Sequence, residues 1–110
     1  MNPIVIIPTY NELENISKML SAVLALEPAF DVLIVDDNSP DGTAQVVKNE
    51  YGDHSQVHLM ERQGKQGLGT AYIAGFKWCL EKGYDYIFEM DCDFSHNPSD
   101  LLRLYAKVQE

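Results

Sequence analysis

Short apolar runs alternate along this chain with segments of helical periodicity, four of each in strict order. Residues 4–7 and 32–35 are wholly aliphatic, as strands buried on both faces of a sheet are. The predicted strands are residues 3–7, 32–35, 57–60 and 86–90, and the predicted helices are residues 12–26, 43–51, 70–82 and 98–108. The βαβαβαβα order predicts an α/β fold with a parallel sheet and right-handed crossovers.

Capping signals define the expected helix ends. Asn11, with Glu14 three residues later, predicts a variant capping box for the first helix. Gly83 stands where a C′ glycine ends the third helix. Asn97 and Pro98 are predicted to be the N-cap and first residue of the last helix. The third helix is expected to bury one face made of Tyr72, Phe76, Cys79 and Leu80.

Polar clusters follow three of the four predicted strands. They are Thr9–Glu12, Asp36–Ser39 and Asp91–His96. The carboxyl ends of parallel strands share one edge of the sheet, and ligands of such folds bind beyond that edge. The three clusters are therefore expected to converge on one binding site.

The fourth strand runs directly into two aspartates one residue apart, Asp91 and Asp93. Two carboxylates at a strand end suit Mg²⁺ or Mn²⁺, which commonly take further ligands from water and substrate phosphates. The motif is short, and a solvated turn in which Asp93 or Asn97 caps the next helix explains it equally well. His96 is interpreted as a turn histidine capping the last helix, with a ligand or base as the alternative.

The second strand ends in adjacent carboxylates, Asp36 and Asp37. A functional role, such as accepting hydrogen bonds from a ribose or a base, is favoured over a turn because one cap would suffice. Glu12 fits either a first-turn helix acid or a nucleoside contact. Tyr10 fits either a stacking platform for a base or a core aromatic with a solvated end.

The glycine-rich loop before the third helix does not match a dinucleotide fingerprint. Gly67 and Gly69 have the G-x-G spacing, but Tyr72 occupies the third glycine position and the loop follows the third strand. Close packing of the helix on the sheet explains the glycines. Arg62 and Lys65 are interpreted as solvated surface charges, with contact to a pyrophosphate as the alternative.

Charge and composition exclude several classes of protein. The chain has 17 acidic and 8 basic residues and a formal net charge of -9, without the basic stripe of a nucleic-acid-binding protein. Its two cysteines lack metal-finger spacing and fit reduced thiols of a cytosolic protein. No apolar run approaches the roughly 20 residues of a membrane span, and the N-terminus does not resemble a signal peptide.

Four segments carry a family resemblance when they are taken together. They are Pro8–Glu12, Val35–Thr43, Gly67–Tyr72 and Met90–Asp93. In this order and spacing they resemble the dolichyl-phosphate (polyprenol-phosphate) mannosyltransferases of glycosyltransferase family 2, which have a Rossmann-like GT-A fold. The resemblance implies that residues 1–110 form the N-terminal nucleotide-sugar-binding portion of such a domain.

The resemblance also implies roles for individual residues. The nucleoside pocket for GDP-mannose would be lined by Pro8, Tyr10, Glu12, Val35 and Asp37. The pyrophosphate would lie at Asp91, Cys92 and Asp93, with both aspartates acting as catalytic residues that hold Mg²⁺ or Mn²⁺. Cys92 replaces the usual alanine of the family, and Ser95 stands where some members have a metal-holding glutamine.

The implied reaction is the inverting transfer of mannose from GDP-mannose to a polyprenyl (dolichyl) phosphate at the cytosolic face of a membrane. The acceptor phosphate is already ionised at pH 7, so no strong general base is needed. The family's later arginines and lysine, and its membrane-contacting elements, would lie beyond residue 110. A membrane-anchoring region or subunit outside this chain is therefore expected, and transfer by this chain alone is left open.

Three other functions remain as alternatives. A polyprenyl-phosphate glucosyltransferase that uses UDP-glucose is the nearest. A signalling receiver domain is suggested by residues 32–37, which imitate a Mg²⁺-binding acidic pair. That strand comes second here, however, and the residues after Asp93 leave no room for a receiver's later lysine-bearing strand. The third alternative is a remnant that only binds nucleotide or another chain.

Overall fold

A computed structural model of the chain describes residues 1–64 and 66–109. Strands and helices alternate throughout, as predicted. The elements are β1 (Ile4–Thr9), α1 (Ile16–Leu24), β2 (Asp31–Asp36), α2 (Thr43–Tyr51), β3 (Val57–Glu61), α3 (Leu68–Glu81), β4 (Ile87–Glu89) and α4 (Asp100–Val108).

The four strands form one parallel sheet in the order β3-β2-β1-β4. β1 is paired along its whole length with β2, so that Thr9 lies beside Asp36. Asp36 in turn lies beside Glu61 of β3, and Glu89 of β4 lies beside Ile6. The carboxyl ends of β1, β2 and β4 are therefore neighbours, which confirms the predicted parallel sheet.

The two faces of the sheet pack against different helices. Alternate residues of β1 and β2 point to opposite faces, because side chains of a strand alternate. One core cluster combines Val5, Ile7, Val32 and Ile34 with side chains of α1, α2 and α4. The other combines Ile4, Ile6, Leu33 and Val35 with side chains of α3. The result is a three-layer α/β arrangement in which both faces of the central strands are buried.

The first helix begins later than predicted. Asn11 has a left-handed backbone, with a φ of 57°, and α1 begins only at Ile16 with Asn15 at its N-cap. The predicted capping box of Asn11 and Glu14 is therefore wrong. The segment between them forms a turn in which the N–H groups of Asn15 and Ile16 donate to the Glu12 carbonyl.

Tertiary contacts explain why these residues leave the helix. The Asn11 N–H donates to Ser39 Oγ at 2.9 Å, and the Leu13 N–H donates to Asp41 Oδ2 at 3.0 Å. The Glu12 N–H donates to Thr43 Oγ1 at 3.1 Å. The loop after β2 thus satisfies backbone donors of the loop after β1, which positions both loops at the same end of the sheet.

The third helix confirms only part of its predicted buried face, because Cys79 is buried and Tyr72 is partly buried but Phe76 and Leu80 are exposed. Its buried residues are Ala71, Gly75 and Cys79, whereas Phe76 is 43% and Leu80 54% exposed. Small residues face the sheet because α3 lies very close to β1. Gly83, with a φ of 87°, confirms the predicted glycine beyond the helix end.

The last helix also begins later than predicted, at Asp100 with Ser99 as its N-cap. Asn97 Oδ1 accepts hydrogen bonds from the Ser99 N–H at 3.0 Å and the Ser99 hydroxyl at 2.9 Å. Asn97 therefore caps a preliminary turn rather than α4 itself, and the assignment of Pro98 as the first helical residue is wrong.

Candidate functional site

A cavity of about 210 Å³ lies at the carboxyl ends of β1, β2 and β4. Its wall comes from the three predicted clusters and from the start of α3. The lining residues are Pro8, Thr9, Tyr10, Glu12, Asp37, Gly67, Leu68, Ala71, Asp91, Cys92 and Asp93. The expected convergence of the three strand ends is therefore observed.

Seven of the eight residues predicted for the site line this cavity. Val35 is the exception, because its side chain is completely buried in the core between the sheet and α3. An ideal Cβ on Gly75 would lie 3.3 Å from Val35 Cγ2, which shows how closely the helix covers this side chain. Val35 is therefore a core residue beneath the cavity, and its side chain does not line the cavity wall.

The adjacent carboxylates of Asp36 and Asp37 have different environments. Asp36 is fully buried and accepts hydrogen bonds from Thr9 Oγ1 at 2.6 Å, the Ser39 N–H at 2.9 Å and Ser39 Oγ at 2.6 Å. It therefore joins the loops after β1 and β2. Asp37 lines the cavity, so the structural interpretation applies to Asp36, and a role in ligand binding stays a prediction for Asp37.

Asp37 forms a forked ion pair with Arg62. Arg62 Nε donates to Asp37 Oδ1 at 2.6 Å, and Arg62 Nη2 donates to Asp37 Oδ2 at 2.9 Å. The side chains are only 10% and 7% exposed. The interpretation of Arg62 as a solvated surface charge is therefore wrong. Lys65, which shared that interpretation, lies outside the described residues.

The two aspartates of the D-x-D turn are held by different partners. The Tyr72 hydroxyl donates to Asp91 Oδ1 at 2.8 Å, which joins α3 to the end of β4. Asp93 Oδ1 accepts a hydrogen bond from the Ser95 N–H at 2.9 Å. Hydrogen bonds from the Ser95 side chain and backbone lower the pKa of Asp93 below its usual value, which keeps this exposed carboxylate ionised. His96 is not among the residues that line the cavity.

The pKa of Glu12 is raised by its place in an acidic cavity. Burial raises the pKa of Glu12 above its usual value, against an opposing hydrogen bond from Asn15, and the charges of Asp93, Asp41 and Asp91 raise it further. The charged residues among those lining the cavity, Glu12, Asp37, Asp91 and Asp93, are all acidic. A cation in the cavity would relieve this repulsion.

The donor set fits a cation that shares its coordination with a substrate. Within residues 1–64 and 66–109, no three His, Cys, Asp or Glu side chains are grouped so that they could hold a metal ion. Asp91 and Asp93 supply carboxylate oxygens at one wall of the cavity. Mg²⁺ typically binds through one or two carboxylates plus substrate phosphates and waters, so these two residues fit such an ion.

Comparison with known proteins identifies the family. Residues 4–110 match the family described as "Glycosyl transferase family 2". The chain belongs to this family. Family membership and the parallel sheet together confirm the GT-A assignment made from the four motifs, and they leave no support for the receiver-domain alternative.

Two curated relatives are similar along almost all of the chain. An undecaprenyl-phosphate mannosyltransferase from Micrococcus luteus is 48% identical over 109 residues, which are 99% of this chain and 45% of the relative. A polyprenol monophosphomannose synthase from Mycolicibacterium smegmatis is 48% identical over 106 residues, 96% of this chain and 40% of the relative. The chain thus spans less than half the length of these family 2 relatives.

Solved structures show the same fold. Residues 1–349 of S. aureus TarS, in complex with UDP-GlcNAc, superpose with a TM-score of 0.78 at 25% identity, and the match covers 99% of this chain and 31% of that TarS chain. The mannosyltransferase PcManGT from Pyrobaculum calidifontis, in complex with GDP-Man and Mn²⁺, gives a TM-score of 0.63 at 27% identity. That match covers 71% of this family 2 chain and 25% of PcManGT.

Four contributors to the site were not among the predicted site residues or polar clusters. Gly67, Leu68 and Ala71 line the cavity, although helix packing alone explains the glycine loop in the sequence interpretation. Tyr72 was assigned to the buried face of α3, yet its hydroxyl contacts Asp91. Its position within the Gly67–Tyr72 motif was the available signal.

The described helices include none that is long and apolar enough to cross a membrane.

Proposed function

We propose that this chain forms the nucleotide-sugar-binding part of an inverting glycosyltransferase that transfers mannose from GDP-mannose to a polyprenyl (dolichyl) phosphate. The observation that carries the proposal is the 48% identity, along nearly the whole chain, to two relatives named for mannose transfer to such lipids. The acidic cavity at the carboxyl edge of the sheet supports it, because that edge is where α/β sheets bind nucleotides.

The nucleoside would bind beside the ends of β1 and β2. Pro8 and Tyr10 supply apolar and aromatic surface there, and Glu12 and Asp37 supply hydrogen-bond acceptors. Tyr10 lines the cavity and is 40% exposed, so it is the aromatic residue proposed to contact the base. The guanosine of GDP-mannose has both a stacking surface and N–H donors, so it complements this wall.

The diphosphate would bind beside the end of β4. Asp91 and Asp93 would hold Mg²⁺ or Mn²⁺, with Cys92 between them in the wall. The ion would neutralise the charge that builds on the leaving diphosphate, a Lewis-acid effect of several kcal/mol. Because the charged residues lining this wall are all acidic, the residues alone would repel a diphosphate. PcManGT, bound to GDP-Man and Mn²⁺, is a structural precedent.

The acceptor needs little activation by the protein. A polyprenyl phosphate oxygen is ionised at neutral pH and can attack the anomeric carbon from the side opposite the leaving group. Histidine is absent from the lining residues in the described part of the chain, which is compatible with a reaction that needs no strong base. The acceptor would be presented at the cytosolic face of a membrane, with anchoring by a region or subunit outside these 110 residues.

Uridine nucleotides are the alternative donors. TarS, which has the higher TM-score of the two structures described, is bound to UDP-GlcNAc at 25% identity. The same cavity could therefore accept a uridine diphosphate sugar, including UDP-glucose. Relatives with 48% identity carry more weight for the donor than a structure with 25% identity, so GDP-mannose is the proposed ligand.

Thermal shift of the purified chain tests the proposal. GDP, GDP-mannose, UDP-glucose, UDP-GlcNAc and ADP would each be added with and without Mn²⁺. A ligand that binds only the folded state stabilises it by about 2.7 kcal/mol at 100 times its Kd. We expect a Mn²⁺-dependent shift with GDP and GDP-mannose that Asp91→Ala abolishes.

Asp53→Ala is the matched control, because Asp53 is exposed and precedes β3 at the opposite edge of the sheet. It should retain the full shift. A preference for UDP ligands would redirect the proposal to another sugar donor, and an undiminished shift in Asp91→Ala would contradict the metal assignment.

A further inference from the structure

The Arg62 side chain forms four hydrogen bonds next to the cavity. Besides its two bonds to Asp37, its Nη1 donates to Thr70 Oγ1 at 3.1 Å and its Nη2 donates to the Gly67 carbonyl at 3.3 Å. Four of the five guanidinium N–H groups are therefore used within the protein. Contact with a pyrophosphate, the alternative interpretation of Arg62, would therefore have to compete with these bonds.

These bonds connect two separate walls of the cavity. Asp37 belongs to the loop after β2, whereas Gly67 and Leu68 belong to the segment that begins α3. The Gln66 N–H also donates to Asp37 Oδ2 at 3.2 Å, which brings the same segment to the same carboxylate. The Arg62 guanidinium therefore fixes the distance between the Asp37 carboxylate and the backbone of Gly67.

The burial of the pair makes its geometry specific. With side chains only 10% and 7% exposed, neither charge has much water around it, so breaking the pair would leave a poorly solvated charge on each side. Arginine holds a carboxylate through a planar fork, which fixes the orientation of the carboxylate as well as its charge. Lysine would keep the charge but not the fork. It also could not bond to Thr70 and Gly67 in the same plane.

We propose that Arg62 is a positioning residue of the nucleotide site. It holds the Asp37 carboxylate and the Gln66–Leu68 backbone as one wall, against which the nucleoside end of the donor binds. This inference rests on the proposed nucleotide-binding function. It predicts that loss of the fork weakens recognition of the nucleoside and leaves the carboxylates at the end of β4 able to bind a divalent ion.

The test compares Arg62→Lys and Arg62→Met with the unchanged chain and with Arg103→Lys. Arg103 is a suitable control because its ion pair with Asp100 is an exposed pair within α4. Three quantities are measured: the Kd of GDP in the presence of Mn²⁺, the Kd of Mn²⁺ alone from its EPR signal, and the amide exchange rate of Gln66 without ligand.

We expect both Arg62 variants to bind GDP at least about tenfold more weakly, a smaller loss than truncating a charged group that touches the ligand, because Arg62 acts through Asp37. Mn²⁺ binding should be weakened by no more than about twofold, whereas the Gln66 amide should exchange faster. Arg103→Lys should change none of the three. Arg62→Lys retains the charge, so it keeps the test usable if Arg62→Met does not fold.

Two results would overturn the proposal. One is unchanged GDP affinity in both variants, and the other is an equal loss of GDP and Mn²⁺ binding, which would indicate general damage to the fold. Failure of the unchanged chain to bind GDP would contradict the proposed function instead. In that case the Gln66 exchange rate decides: faster exchange in Arg62→Lys supports positioning, and an unchanged rate overturns it.

Discussion

Asp91, a carboxylate proposed to hold a divalent ion, is oriented by one hydrogen bond from a neighbouring helix. The Tyr72 hydroxyl donates to it from α3, the helix that precedes β4 in the chain. Burial, the hydrogen bond to Asp91 and the nearby acidic charges raise the pKa of Tyr72 well above its usual value, so the phenol stays a neutral donor. The bond therefore orients Asp91 without adding charge to the site.

Tyr72→Phe is expected to weaken Mn²⁺ binding by about tenfold, the lower end of the effect seen when a partner of a metal-binding residue is removed. The ring and its packing would be kept, so the midpoint of urea unfolding should change little. Tyr86→Phe is the matched control, because Tyr86 packs against Tyr105 away from the cavity. Equal Mn²⁺ affinity in both variants would contradict a role for the Tyr72 hydroxyl.

At the scale of the element, α3 is the helix whose packing sequence reasoning described least well. Its contact with β1 depends on Gly75, where an added Cβ would lie 2.8 Å from Ile6 Cγ2. Because that methyl is attached directly to the β-carbon of a fully buried side chain, it has little freedom to move away. The glycine permits the close approach that brings Gly67, Leu68 and Tyr72 to the cavity.

Gly75→Ala should therefore lower the free energy of unfolding by about 1–3 kcal/mol, the typical cost of overfilling a packed core. Gly69→Ala is the control within the same helix, since nothing lies within 4 Å of its added Cβ. It should change stability by no more than about 1 kcal/mol, in the favourable direction. Urea unfolding followed by circular dichroism measures both, and similar stabilities would refute the close-packing argument.

At the scale of the whole molecule, several groups in the described core are held in their neutral form. Burial raises the pKa of Cys79 to about 11 and that of Cys92 to about 12, from a usual value of 9.0. Burial and a hydrogen bond to Asp31 also raise the pKa of Tyr84 above its usual value. In each case the folded state retains a proton that the unfolded state releases more easily.

The sign of this linkage predicts instability in alkali. Between about pH 9 and pH 11 the unfolded chain loses the Cys79 proton and the folded chain keeps it, so stability falls as pH rises. The contribution of one such group is about 1.4 kcal/mol per pH unit within that window. Urea midpoints measured from pH 7 to pH 11 check this, and Cys79→Ala should show a shallower decline.

The same burial predicts slow thiol chemistry. At pH 8, a thiol with a pKa of about 11 is only about 0.1% thiolate, and the thiolate is the reactive form. Ellman's reagent should therefore react slowly with the folded chain and rapidly with both cysteines in urea. Fast reaction of the folded chain would show that the core opens more readily than its packing indicates.

Local patterns were sufficient to predict the order of elements and most of the residues that line the cavity. Aliphatic runs such as residues 32–35 are typical of strands that are buried on both faces of a sheet. Glycines such as Gly83 follow helix ends because they tolerate a positive φ. Parallel strands put their carboxyl ends together, so the polar residues that follow them, Asp37 and Asp91 included, had to meet.

Contacts between distant segments decided the rest. Asn11 does not cap α1 because Ser39, Asp41 and Thr43 take the backbone donors of its loop, and no local pattern records that competition. Asp36 and Asp37 have different environments because Thr9 bonds to Asp36 and Arg62 bonds to Asp37, and both partners are far away in sequence.

The sequence by itself determined the α/β class, the parallel sheet and the edge at which the site forms, because hydrophobic periodicity and strand direction are local properties. Only the tertiary structure decided that α3 turns its small residues to the sheet, that Val35 stays in the core and that Arg62 pairs with Asp37. Those outcomes depend on how side-chain volumes fit between the helices and the sheet and on which buried charges pair. Both are determined only when the elements pack together.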